Sequence, residues 1–176
     1  NNAESIFEVQ FKSGGTGTGS PYVDMYTDTP AQAGGGNAPQ EATDSIEEAF
    51  QTGDLRKEAT IFEEFLDNGN FDQFSVTKYD GETFQNLDSD LNFMVFRYAD
   101  VLLMLAEAIG ESPEAYDLIN QVRDRTGLND INSATPGTFD EKLLQERRLE
   151  LAFENHRWYD LKRFGVAKQV MAQELN

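Results

Sequence analysis

The feature that most constrains this chain is the run Phe93-Met-Val-Phe-Arg-Tyr-Ala-Asp-Val-Leu-Leu-Met-Leu-Ala-Glu-Ala-Ile109. Apolar side chains fall on nearly every face of a helix drawn through it, interrupted only by Arg97, Asp100 and Glu107. A helix that is apolar all round must be covered by other protein. Gly110 offers a C-terminal stop, and Ser112-Pro113 supplies an N-cap followed by proline at the first helical position. Residues 113–126 then set Ala115, Leu118, Ile119 and Val122 on one face, and Gly127 ends the segment. The pattern predicts an antiparallel helical hairpin over 93–127 with a very short turn.

Downstream, Thr138-Phe-Asp-Glu141 has the form of a capping box. It predicts a third helix through Leu143, Leu144, Leu149 and Phe153, broken at Asn155, which tolerates the left-handed conformation. Residues 156–164 and 166–171 read as shorter helical pieces. The N-terminal half has a different texture. Residues 1–90 contain four Lys or Arg, whereas 91–176 contain ten. Two low-complexity stretches, Ser13–Ser20 and Ala31–Pro39, lie inside a long connection from Lys12 to about Asp44. Loops of that length in a compact domain are usually functional or mobile. Period-2 patterning predicts a strand at 5–11, with Phe7, Val9 and Phe11 on one side, and another at 74–79. Residues 45–50 read as one or two helical turns, and 54–62 ends extended. The expected organisation is therefore mainly α: a loop-rich segment with short strands at 1–90, putting forward a ligand-facing part, and a helical region at 91–176.

Composition removes several function classes. The chain has 32 acidic and 14 basic residues, a net charge of −18. This argues against nucleic acid or an anionic membrane as a partner, since both are held by cationic surface. Cysteine is absent, which excludes disulfides, thiolate metal sites and cysteine nucleophiles. The glycines at 14, 15, 17 and 19 do not make a phosphate loop, because Ser20 and Pro21 stand where that motif needs Gly or Lys and a helix start. Asp88-Ser-Asp90-Leu-Asn92 resembles the first ligands of a calcium loop, but Phe93 replaces the required glycine and Ala99 the closing glutamate. A calcium ion elsewhere in so acidic a chain is left open, with no residues assigned.

His156 is the lone histidine and reads as a helix-junction residue, not as a catalytic base. Glu146, Glu150 and Glu154 share a helix face, and glycosidase chemistry needs only two facing acids, one with a raised pKa. Arg147, Arg148, Arg157 and Arg163 nearby would keep such acids ionised. Glu146, Arg147, Arg148, Glu150, Arg157, Asp160 and Arg163 are therefore expected to form a structural ion-pair network, with no catalytic residue and no metal ligand. Tyr22, Tyr26 and Tyr79 stand in polar, loop-like surroundings, with Asp24 beside the first two. Flat rings with wet hydroxyls can stack on sugar faces, so these four are the candidate ligand contacts.

Three stretches carry a resemblance: Phe96–Ala108, Ile119–Leu128 and Gln145-Glu-Arg-Arg-Leu-Glu-Leu-Ala-Phe-Glu-Asn-His-Arg-Trp-Tyr-Asp-Leu-Lys-Arg-Phe-Gly165. In order, spacing and chemistry they resemble the signature run of the SusD/RagB family over about residues 91–166. The likeness is looser across 1–90, at Ile6–Phe11 and Asp54–Thr60. Asn155 stands where the family usually has glycine. The resemblance implies tetratricopeptide-like helical hairpins as scaffold and a loop-rich ligand region. It implies a non-enzymatic lipoprotein on the outer face of the outer membrane, its lipid anchor upstream of Asn1. It further implies oligo- or polysaccharide capture, or peptide capture in some relatives, beside a SusC-like TonB-dependent transporter, with the signature residues structural. On this view the chain is a C-terminal portion that exposes apolar surface around the helix 93–109. A tetratricopeptide-like scaffold for protein or peptide partners is the alternative, and a carboxylate-pair hydrolase the remote one.

Overall fold

A computed structural model describes residues 3–15, 17–26, 42–65, 71–79, 84–85 and 88–174. The stretch Ala31–Pro39 lies outside the described residues. The chain divides into two compact units. One comprises residues 1–47 and 57–96; the other comprises 48–56 and 97–176. Segment 48–56 thus belongs with the helices.

The first unit contains β1 (Ser5–Val9), α1 (Tyr22–Tyr26), most of α2 (Asp44–Ala49) and α3 (Arg56–Thr60), β2 (Ile61–Phe65), β3 (Phe71–Val76), β4 (Phe84–Gln85), β5 (Asp88–Ser89) and β6 (Phe93–Arg97) up to Phe96. The strands pair two by two as β1 with β6, β2 with β3 and β4 with β5. The antiparallel β2–β3 hairpin sets Ile61 opposite Val76 and Glu63 opposite Phe74, with a register shift at Glu64/Phe65. Side chains alternate across a strand. Ile61, Phe74 and Val76 accordingly face inward and are buried, while Phe62 is exposed. The loop expected from 12 to 44 contains α1, where Val23, Asp24 and Tyr26 are buried. On β1, Phe7 and Val9, read as one side of the strand, are both exposed.

The second unit contains α4 (Tyr98–Ile109), α5 (Pro113–Arg123), α6 (Phe139–Glu150), α7 (Arg157–Arg163) and α8 (Ala167–Glu174). Its apolar core is built from Ala99, Leu102, Leu103 and Ala106 of α4, Ala115, Tyr116, Ile119 and Val122 of α5, Ile131, and Phe139 and Leu143 of α6. The hairpin turn forms as its sequence dictates. Gly110 takes a left-handed φ of 76°, and the Ser112 hydroxyl accepts the Ala115 N–H at 3.1 Å. The Thr138–Glu141 capping box is complete in both directions.

The strands read at 5–11 and 74–79 span Ser5–Val9 and Phe71–Val76, and boundaries in the helical part differ from the sequence reading as well. Residues 93–97 form a strand, and the helix starts only at Tyr98. An aromatic and β-branched apolar run suits either element, and pairing with β1 decides it here. Helix α6 ends at Glu150 instead of running through Phe153. The Glu150 carbonyl accepts from the Arg97 guanidinium, and the chain turns through left-handed Phe153 and Asn155. The expected left-handed Asn155 is therefore present, preceded by a second such residue. Tyr98, Met104, Leu105 and Ile109 of α4 are exposed, the apolar surface expected around 93–109.

Candidate functional site

Helix α1 and the turn after β3 bring three tyrosines together in the first unit. The Tyr22 ring lies 5.1 Å from Tyr79, edge to face, and 5.3 Å from Tyr26. Tyr26 lies 5.2 Å from Tyr79, and Phe93 closes on Tyr22 at 5.4 Å. Rings at these separations hold one another rigid through quadrupole contacts. Exposure divides the group. Tyr22 and Tyr79 are half-buried, whereas Tyr26 is only 4% exposed and Asp24 only 3%. Burial raises the Tyr26 phenol above its ordinary value, and a hydrogen bond with Tyr22 offsets part of that rise. Tyr22 and Tyr79 are therefore the members of the three that reach solvent, and Tyr26 packs against both. Asp24 is an interior residue of α1. The polar sequence around it hid this, because a single helical turn places Val23, Asp24 and Tyr26 inward together. Phe93 was missed as a member because its run reads as a helix.

The charged residues of the second unit form a buried lattice. The Arg147 guanidinium bridges Asp100 at 2.9 Å and Asp160 at 3.0 Å, with all three side chains 2% exposed. Glu146 accepts from Arg56 at 2.6 Å and from Arg123 at 2.7 Å. Glu150 gathers Arg97, Arg125 and Arg56, and Arg97 also reaches Glu154 at 2.7 Å. Arg56 is forked onto Asp54. Arg163 joins Glu107 at 2.7 Å and Asp160 at 2.9 Å. Arg148 and Arg157 are half-buried. The sequence reading did not find Arg56, Arg97, Arg123 or Arg125, which come from other elements up to 94 residues away.

Burial alone would lower the Arg97 and Arg56 pKa values; their carboxylates outweigh it, and both guanidiniums are held more firmly protonated than usual. Burial likewise would raise Glu150, but Arg97, Arg125 and Arg56 hold its carboxyl below the ordinary value. A general acid needs the opposite shift. The triad Glu146, Glu150 and Glu154 is therefore spent on arginines. His156 sits at the N-cap of α7 and makes no side-chain capping bond. Among the described residues no group of three or more His, Asp or Glu side chains comes together as a cation site. Among them too, no helix is long and apolar enough to cross a membrane.

A sequence model of the SusD family matches residues 71–176, more than half of the chain. The chain belongs to the SusD family. Among its relatives, SusD-like protein P38 of Formosa agariphila is 38% identical over 108 residues, 54% of this chain and 22% of that protein. SusD-like protein P25 of the same organism is 32% identical over 149 residues, 80% of this chain and 28% of the relative. Among solved structures, a laminarin-binding SusD-like protein superposes with a TM-score of 0.76 at 29% identity. That superposition covers 98% of this chain and 44% of the other. This SusD-family chain thus spans about a quarter of the length of these curated relatives and under half of the solved one. The mainly helical fold expected from the sequence is the fold of this family.

Proposed function

We propose that the chain is part of a surface-exposed, non-catalytic glycan-capture protein that binds by ring stacking and hydrogen bonds. The observation that carries this reading is the braced ring group of Tyr22 and Tyr79 over Tyr26. Two half-exposed rings fixed by a third suit the apolar face of a sugar, and their hydroxyls suit its equatorial oxygens. The net charge of −18 favours a neutral or cationic glycan over an anionic one, which would be repelled at low salt. The superposition on a laminarin-binding relative makes laminarin, a neutral polysaccharide, the first probe. Membership of the SusD family supports the wider reading: lipid anchoring on the outer membrane, and delivery of the glycan to a SusC-like TonB-dependent transporter.

The test is laminarin titration calorimetry. Tyr22→Ala and Tyr79→Ala are each expected to weaken binding by about tenfold, the loss of one stacked ring face. Product-free incubation with laminarin is expected to accompany binding. A second reading, a scaffold for protein or peptide partners, rests on the exposed Met104, Leu105 and Ile109 of α4. It predicts that both tyrosine variants bind glycan as the wild type does.

A further inference from the structure

Residues 88–93 act as a rail along which residues 8–15 and 20–22 are laid. Asn92 donates to Glu8 at 2.9 Å and accepts the Phe11 N–H at 2.9 Å. Asp90 accepts the Ser13 N–H at 2.6 Å and the Lys12 ammonium at 2.7 Å. Asp88 accepts the Gly14 N–H at 3.0 Å and the Gly15 N–H at 2.6 Å through one oxygen. Ser89 exchanges backbone bonds with Ser20 at 2.9 and 3.1 Å, and its hydroxyl adds a third bond to the Ser20 carbonyl. Two residues after Ser20, Tyr22 meets Phe93. The backbone of Ser13, Gly14 and Gly15 is therefore held by the carboxylates opposite.

Gly19 fits this arrangement in one way only. A Cβ there would lie 1.7 Å from Asp88 Oδ1 and 2.7 Å from its Cα. That oxygen is buried and finds no hydrogen-bond donor among the described residues. Of the four Asp88 and Asp90 carboxylate oxygens in the motif that resembles a calcium loop, three are spent on backbone amides and on Lys12. A cation at Asp90 would face the Lys12 ammonium directly. The bonds from Lys12 and Ser13 hold the Asp90 carboxyl well below the usual carboxylate range.

We propose that Asp88 and Asp90 are positioning residues for the Tyr22–Tyr79 ring pair, fixing the loop that delivers α1. The ligand part of this inference rests on the glycan reading above; the positioning part does not. Without the two carboxylates, four backbone or ammonium donors lose their anchor and α1 leaves Phe93 and Tyr79.

The experiment uses the whole chain and two readouts: near-ultraviolet tyrosine circular dichroism and laminarin titration. Asp88→Ala and Gly19→Ala are each expected to change the tyrosine band and to weaken laminarin binding by about tenfold, the effect of losing charge-assisted bonds. Asp88→Asn is expected to rescue the band, because an amide oxygen accepts the same two N–H groups. Emission from Trp158, the single tryptophan, and hydrogen-exchange protection of β2–β3 report that both units stay folded. A wild-type tyrosine band in Asp88→Ala overturns the positioning role, whatever laminarin does. An altered band in Asp88→Ala, with unchanged laminarin binding in Tyr22→Ala, supports the positioning role and overturns the glycan reading instead.

Discussion

The two units use carboxylates in opposite ways. In the helical unit, Asp100, Glu146, Glu150 and Asp160 are buried and face guanidiniums. In the loop-rich unit, Asp88 and Asp90 face backbone amides nearer the surface. The first arrangement locks helices to one another, because a buried ion left without its partner is costly. The second anchors the backbone of Ser13, Gly14 and Gly15. Acidic composition alone would never separate these uses. The elements supplying the donors do.

The sharpest way to break the contrast is Arg147→Ala, which strands Asp100 and Asp160 in the interior. It is expected to cost about 3–5 kcal/mol, as loss of one partner of a buried pair does. Urea unfolding followed by Trp158 emission measures it. A cost near that of a surface pair would remove the lattice from the account. Leu103→Ala, at a fully buried position of α4, is expected to cost about 2–5 kcal/mol through lost burial and the cavity left behind.

Acid titration sharpens the comparison further. The Glu150 carboxyl titrates lower in the folded protein than in the unfolded chain. Its stabilising contribution is therefore complete at neutral pH. It begins to fall as the pH drops through the ordinary glutamate value of about 4.3, and is gone below the depressed folded value. Unfolding midpoints measured from pH 7 downward are expected to decline in that window, and Glu150→Gln is expected to flatten the decline. Thr138→Ala removes one half of the capping box and is expected to cost about 1 kcal/mol. Smallest is Arg163→Ala. Its side chain is 43% exposed, and the loss is expected to stay within about 1 kcal/mol and to shrink in high salt.

Much of this was legible in the chain. The hairpin turn at Gly110-Glu-Ser-Pro113, the capping box at Thr138 and the left-handed Asn155 are local devices, and local devices can be read from neighbours in sequence. The strand at 93–97 was not, because its pairing with β1 is long-range and its residues suit a helix equally. The lattice was half legible: α6 and α7 advertise their charges, but Arg56, Arg97, Arg123 and Arg125 enter from distant elements. For the candidate site, polarity around Tyr22 and Tyr26 pointed to a loop face. The burial of Tyr26 and Asp24 came from one short helix that five residues cannot announce. The role of Asp88 and Asp90 was hidden for a further reason. A carboxylate spaced for a cation is spaced equally well for backbone amides.

The proposed function puts the ligand face on the loop-rich unit and leaves the helical unit as scaffold. Hydrogen exchange of the whole chain with and without saturating laminarin tests it most directly. The account predicts added protection at residues 20–26, 77–79 and 88–93, with α4 to α7 unchanged. Protection gained instead along α4 or α5, with none around Tyr22 and Tyr79, would contradict it.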